Sequence, residues 1–181
     1  MAAQVSADER AQAVVVADAL IDHLLLARLG QPPQPLEVAQ PFWLVIADTG
    51  VRSPTRVAVG DVRRGWEADR PRYEALFDEI AAIVEEARAA LAAGANARLG
   101  PLMARNQVLL RALGVSSPEL ERLIDAAARA GAQGAKLVGA GRGGNLIALV
   151  AAEQAQAIAA ALREAGAART FVTKVGDPED L

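Results

Sequence analysis

The sequence predicts an α+β domain built on a four-stranded antiparallel sheet, and three observations predict it. Four short apolar runs, Phe42–Ala47, Ala135–Val138, Asn145–Val150 and Arg169–Val175, have the length and β-branched content of strands. Helical periodicity fills the long interval between the first and second runs, and the short interval between the third and fourth. Glycines at 139, 141, 143 and 144 separate the second run from the third, as a hairpin loop does. From Pro41 onward the order is β, a block of helices, β, β, α, β. That is a ferredoxin-like split βαβ plan whose first crossover is enlarged into a helical layer, with helices on one face of the sheet and an extra N-terminal helix ahead of it.

The elements follow in chain order. Ala7–Leu29 reads as one long helix, with Ser6 as N-cap, Glu9 completing a capping box, and Gly30 before Pro32-Pro33 as its stop. Val14, Val15, Val16, Leu20, Ile21, Leu24, Leu25, Leu26 and Leu29 make this helix apolar nearly all round, so residues 1–30 should cover an exposed face of the domain or of a second copy. Residues 31–40 are a proline-rich, extended connector, and 41–176 form the main domain. Phe42–Ala47 ends in an Asp48-Thr49-Gly50 turn. Thr55–Trp66 carries Val59, Val62 and Trp66 at helical spacing, although Gly60 and Gly65 each weaken it by about 1 kcal/mol. Tyr73–Leu91 is the clearest helix, followed by Leu99–Leu113 with Asn106 on its apolar stripe, and by a helix opened by Ser117-Pro118. Ala152–Ala165 is the last helix, and 177–181 is an acidic tail.

Composition bounds the chemistry. At 181 residues the chain can bury its own core, and a net charge of −3 with both signs interspersed gives no general attraction to nucleic acid or to an anionic membrane. With no cysteine and one histidine, His23, thiol nucleophiles, disulfides and His/Cys metal clusters are excluded, and no metal ligand is assigned. The apolar segment 11–29 is broken by Asp18, Asp22 and His23, and no basic leader precedes it, so a cytoplasmic chain is expected. Glu85-Glu86 and the tail carboxylates fall on exposed faces, and no residue is assigned a catalytic role.

The stretch with the most chemical content is Gly134–Val150. A loop so poor in side chains lets backbone N–H groups approach an anion, and Lys136 and Arg142 could assist. The spacing Gly139-x-Gly141-x-x-Gly144 also matches a dinucleotide fingerprint, but that fingerprint needs a helix after the loop. Asn145–Val150 is a six-residue apolar run, so the segment reads as strand, loop, strand. Its bland alternative is a hairpin turn whose glycines serve geometry only. Asp48-Thr49-Gly50 likewise has a bland reading as a strand-ending turn. Arg52, Arg56, Arg63, Arg64, Arg70 and Arg72 near it form either an anion-attracting cluster or a solvated helix face.

Lys136-Leu-Val-Gly-Ala-Gly-Arg-Gly-Gly144 resembles the third signature motif of the GHMP small-molecule kinases, and the similarity is greatest to the mevalonate kinase branch. It extends from about Pro41 to Val175, which is the C-terminal half of such a kinase. The resemblance implies that Lys136, Gly139, Ala140, Gly141, Arg142, Gly143 and Gly144 bind phosphate, and that Asp48, Thr49 and Gly50 line the substrate side of the cleft. Val138 stands where the motif usually has a hydroxyl, and Asn145 where a small residue is usual. No ATP loop of the Pro-x-x-x-Gly-Leu-Gly-Ser-Ser-Ala kind occurs in the 181 residues, nor the family's catalytic aspartate segment. ATP and Mg²⁺ are therefore implied for a complete kinase and not for this chain alone. Two functions follow. One is the substrate-side half of a mevalonate-kinase-like phosphotransferase, inactive alone and partnered by an ATP-binding half, acting on a small molecule that it phosphorylates. The other is a non-catalytic truncated, recombined or designed domain that keeps the fold, as a homo-oligomer.

Overall fold

The computed structural model describes residues 25–26, 34–52 and 55–176. Strands β1 (Leu25–Leu26) and β2 (Gln34–Pro35) form a two-residue antiparallel pair. The main sheet comprises β3 (Phe42–Asp48), β4 (Gly134–Val138), β5 (Asn145–Val150) and β6 (Arg169–Val175). Its order is β4-β5-β3-β6 with every neighbour antiparallel, the ferredoxin-like arrangement that the element order predicts. Among the described residues five α-helices complete the fold: α1 (Thr55–Ala68), α2 (Arg70–Ala92), α3 (Leu99–Ala112), α4 (Pro118–Arg129) and α5 (Ala155–Glu164).

Strand alternation sorts the core into two faces. On one face Val45, Ala47, Ala135, Leu137, Leu146 and Ala148 meet Leu120, Leu123 and Ala127 of α4 and Ile158 and Leu162 of α5. These side chains are almost wholly buried, and each large one contributes about 1.5–3 kcal/mol through burial. Ser117 caps α4 by accepting a hydrogen bond from the Leu120 N–H at 3.4 Å, with proline in the first turn as its sequence predicts.

The helical layer does not stay on one face. Leu44 and Leu149 point the other way and meet Ala90, Leu91 and Leu99 at the α2–α3 junction. The crossover wraps round the β4 edge, and α3 covers that edge as it passes. Gly100 and Gly134 allow the contact: a Cβ on Gly134 would lie 2.4 Å from the Gly100 carbonyl oxygen. Further along, the Gln107 Oε1 accepts a hydrogen bond from the Leu137 N–H at 3.0 Å, so this edge amide does not face the core unpaired.

Four expectations need correction or placement. Leu25–Leu26 is extended and pairs with Gln34–Pro35, so the expected helix does not reach Leu29; the prolines that follow cannot continue a helix but can flank a strand pair. The rest of that helix, and the acidic tail at 177–181, lie outside the described residues. The connector is anchored at its end: Leu36 and Val38 pack against the α2–α3 core, and the Ala39 N–H donates to the Leu91 carbonyl at 3.1 Å. Val59 is exposed, while Val62 takes the inward position on α1. Among the described residues no helix is long and apolar enough to cross a membrane.

Candidate functional site

One end of the sheet opens into a cleft of about 830 Å³. Its floor is a single cross-strand row. Val138 faces Asn145, Asn145 faces Asp48, and Asp48 faces Arg169, so all four central strands deliver one residue each to the same edge. The walls are the 48–52 turn with Thr55 on one side and the glycine loop on the other.

The two walls are stitched together through their backbones. The Thr49 N–H donates to the Gly144 carbonyl at 2.9 Å, and the Gly144 N–H donates to the Val51 carbonyl at 2.9 Å. Thr49 is buried, and its Oγ1 accepts from the Val51 N–H at 3.2 Å. Gly143 has φ 134°, and a Cβ there would lie 2.5 Å from the Val51 carbonyl oxygen. Gly141 has φ 77°, and a Cβ there would lie 1.9 Å from the Val115 carbonyl oxygen. Glycine at these two positions serves both a left-handed backbone and a close approach. The N–H groups of Ala140, Gly141 and Gly143 have no partner among the described residues. Backbone donors without a partner on a loop that lines the cleft are chemistry suited to an anion.

Asp48 has a different task. Its Oδ1 accepts from the Gly50 N–H at 2.8 Å and its Oδ2 from the Arg169 guanidinium at 2.7 Å. The Arg169 hydrogen bond first, and the Gly50 amide second, hold its carboxyl below the ordinary 3.8. The carboxylate is thereby ionised and fully engaged, an anchor for the turn and not a proton acceptor in waiting.

Of the residues singled out in the sequence, the structure brings Asp48, Gly50, Gly139, Ala140, Gly141, Gly143 and Gly144 to the cleft, with Thr49 buried just behind. It does not bring Lys136 or Arg142. Lys136 lies one pleat repeat back from Val138 and turns its Nζ onto the Leu137 carbonyl at 2.8 Å, where burial pushes its ammonium down to about 8. Arg142 reaches away to Asp61 on α1. Of the six arginines near the turn only Arg52 lines the cleft. Arg63 and Arg64 pair with Glu67 and Asp61, and Arg70 stacks over Trp66 with its guanidinium carbon 4.3 Å from the ring centroid. Arg169 and Asp61 were missed. Arg169 is legible only from the register that sets it opposite Asp48, and Asp61 is 81 residues from its partner.

Comparison with known proteins decides what this arrangement belongs to. Residues 87–168, which include the glycine loop, match the family described as GHMP kinases C terminal. The chain contains a GHMP kinase C-terminal domain. The mevalonate kinase of Thermococcus onnurineus is 37% identical over 139 residues, 74% of this chain and 41% of that protein. That of Pyrococcus furiosus is 38% identical over 128 residues, 68% of this chain and 38% of its own length. Among solved structures, L. major mevalonate kinase in complex with R-mevalonate aligns with a TM-score of 0.81 at 33% identity, covering 86% of this chain and 50% of the other. Lactococcus lactis galactokinase, at 19% identity and a TM-score of 0.62, shares the fold. The chain thus spans about two-fifths to one-half of the relatives it matches. The Asp48–Gly50 turn lies outside the family match, yet in space it completes the cleft of this GHMP kinase C-terminal domain.

Proposed function

We propose that this domain is the substrate-side half of a mevalonate-kinase-like small-molecule phosphotransferase. The observation that carries the reading is the pair of reciprocal backbone bonds between the glycine loop and the Thr49–Val51 turn, which fix both motifs as opposite walls of one cleft. Phosphoryl transfer asks little covalent chemistry of the protein and much positioning. Here the Ala140, Gly141 and Gly143 amides offer a phosphate cradle, and Arg52 gives the cleft mouth positive charge, Arg169 being paired with Asp48. Asp48 keeps the turn in place.

The nucleotide enters with other residues. Among the described residues no group of three or more His, Cys, Asp or Glu side chains could hold a metal ion, so these residues do not fit a complete Mg²⁺ site and no step is derived through one. In this reading an ATP-binding half supplies the remaining ligands and the group that activates the substrate hydroxyl. Val138 and Asn145, both in the cleft lining, favour the second reading, a non-catalytic domain that keeps the fold, because Val138 lacks the hydroxyl usual at its place.

A coupled ADP-release assay separates the two. The 181-residue chain alone should show no mevalonate-dependent turnover, and adding the ATP-binding half of a matched mevalonate kinase should restore it. Turnover by the chain alone would overturn the half-site reading. A well-folded complex of the two halves that binds mevalonate without turnover would favour the non-catalytic one.

A further inference from the structure

Arg142 is the odd member of the glycine loop. Its φ of 58° is the one positive value on a non-glycine residue among the described residues, a region that long side chains rarely occupy. Three hydrogen bonds hold it there. Its N–H donates to the Val115 carbonyl at 2.6 Å, its Nε donates to the Gly114 carbonyl at 3.2 Å, and its Nη1 donates to the Asp61 carboxylate. Asp61 sits on α1, the helix that starts at the cleft-lining Thr55, and it also receives Arg64. The Arg142 and Asp61 side chains are 34% and 27% exposed, so solvent screens their attraction only in part.

We propose that Arg142 and Asp61 are positioning residues, a charged latch that ties the glycine loop to α1 and holds the Ala140, Gly141 and Gly143 amides in the arrangement that meets an anion. The proposal rests on the anion-binding reading of the loop. It assigns the arginine of this glycine-rich motif to loop geometry and not to phosphate. The latch joins the loop to α1, while the Thr49–Gly144 and Gly144–Val51 backbone bonds join it to the turn. Without it, Arg142 has no ionic partner to offset its left-handed backbone.

The test uses the full chain, with hydrogen exchange of the loop amides and a titration with inorganic pyrophosphate followed by amide shifts. Asp61→Asn keeps the shape and removes the charge. Loop exchange should speed up about tenfold and pyrophosphate affinity should fall by a similar factor, the scale of one lost charge-assisted hydrogen bond. Asp61→Glu should recover part of both, and Arg64→Ala should change neither. Arg142→Gly removes the latch and the unfavourable φ together, so it should stay folded while its loop exchanges faster. Unchanged exchange in both Asp61→Asn and Arg142→Gly would overturn the latch, even if wild-type loop amides respond to pyrophosphate. Weaker binding with unchanged exchange would also overturn it, since Arg142 would then act on the anion directly. Faster exchange in a chain whose wild-type loop ignores pyrophosphate would support the latch and refute the anion site.

Discussion

Replacing Gly141 by alanine tests how tightly the glycine loop is built into the domain. The new Cβ would lie 1.9 Å from the Val115 carbonyl oxygen, well inside contact distance and against backbone that cannot swing aside. That oxygen also accepts the Arg142 N–H, so the loop must lift and this bond must break. A left-handed φ on alanine costs about 1–2 kcal/mol, and the lost hydrogen bond about 0.5–1.5 kcal/mol more. The sum is about 1.5–3.5 kcal/mol. Gly139→Ala is the matched control, since its φ is 86° but its Cβ would meet nothing within 4 Å. It should lose only the backbone contribution, about 1–2 kcal/mol. Urea denaturation at equal m-values gives both numbers, and the difference isolates the clash with Val115. Equal losses for the two variants would refute the reasoning, because they would show that the loop does not rest on Val115 in solution.

Gln107 is buried and bonds Leu137 N–H, Ser116 Oγ and Glu121 Oε1, so Gln107→Leu should cost about 1–3 kcal/mol for the orphaned Leu137 amide alone; urea midpoints check it. Asp48 has its carboxyl held below 3.8, so the unfolded chain binds more protons in that range. Its contribution is present above the ordinary carboxylate value and lost as pH falls through the lowered one, and Asp48→Asn should flatten the acid limb of a stability–pH profile. Lys136 has the same sign at the other end of the pH scale, because its value too is lowered on folding. Its folded value near 8 lies below the ordinary 10.5, so stability should climb as pH rises from about 8 toward 10.5. Lys136→Met should abolish that climb and melt higher than the wild type at pH 7.

Strand identity was legible because length, β-branching and turn glycines agree at each run: Asn145–Val150 and Arg169–Val175 are strands with the expected bounds, and Phe42–Ala47 gains only Asp48. Topology followed from element order. The route of the crossover did not, because an apolar stripe such as that on Tyr73–Leu91 does not say which sheet face receives it, and Leu44 and Leu149 meet the α2–α3 junction on the second face. At the site, glycines were readable because backbone conformation and close approach are written in the residue type itself. Charges were not. Lys136 and Arg142 looked like phosphate ligands by sign and proximity, but direction is set by tertiary partners: the Leu137 carbonyl for one, Asp61 for the other. Arg169 escaped notice since strand register, not sequence, sets it against Asp48. Val59 shows the same limit on a helix: it shares helical spacing with Val62 and Trp66, yet Val59 is exposed while Val62 packs inward.

The central claim is that the glycine loop and the Asp48–Gly50 turn form one phosphate-binding cleft, and backbone amide shifts test it most directly. With the wild-type chain titrated with pyrophosphate, the Ala140, Gly141 and Gly143 amides should move together, saturably and at millimolar ligand or below. Amides of Gly50 and Val51 should follow with the same midpoint, since the Thr49–Gly144 and Gly144–Val51 bonds couple the walls. Loop amides that stay fixed at millimolar pyrophosphate, while the protein remains folded, would contradict the account.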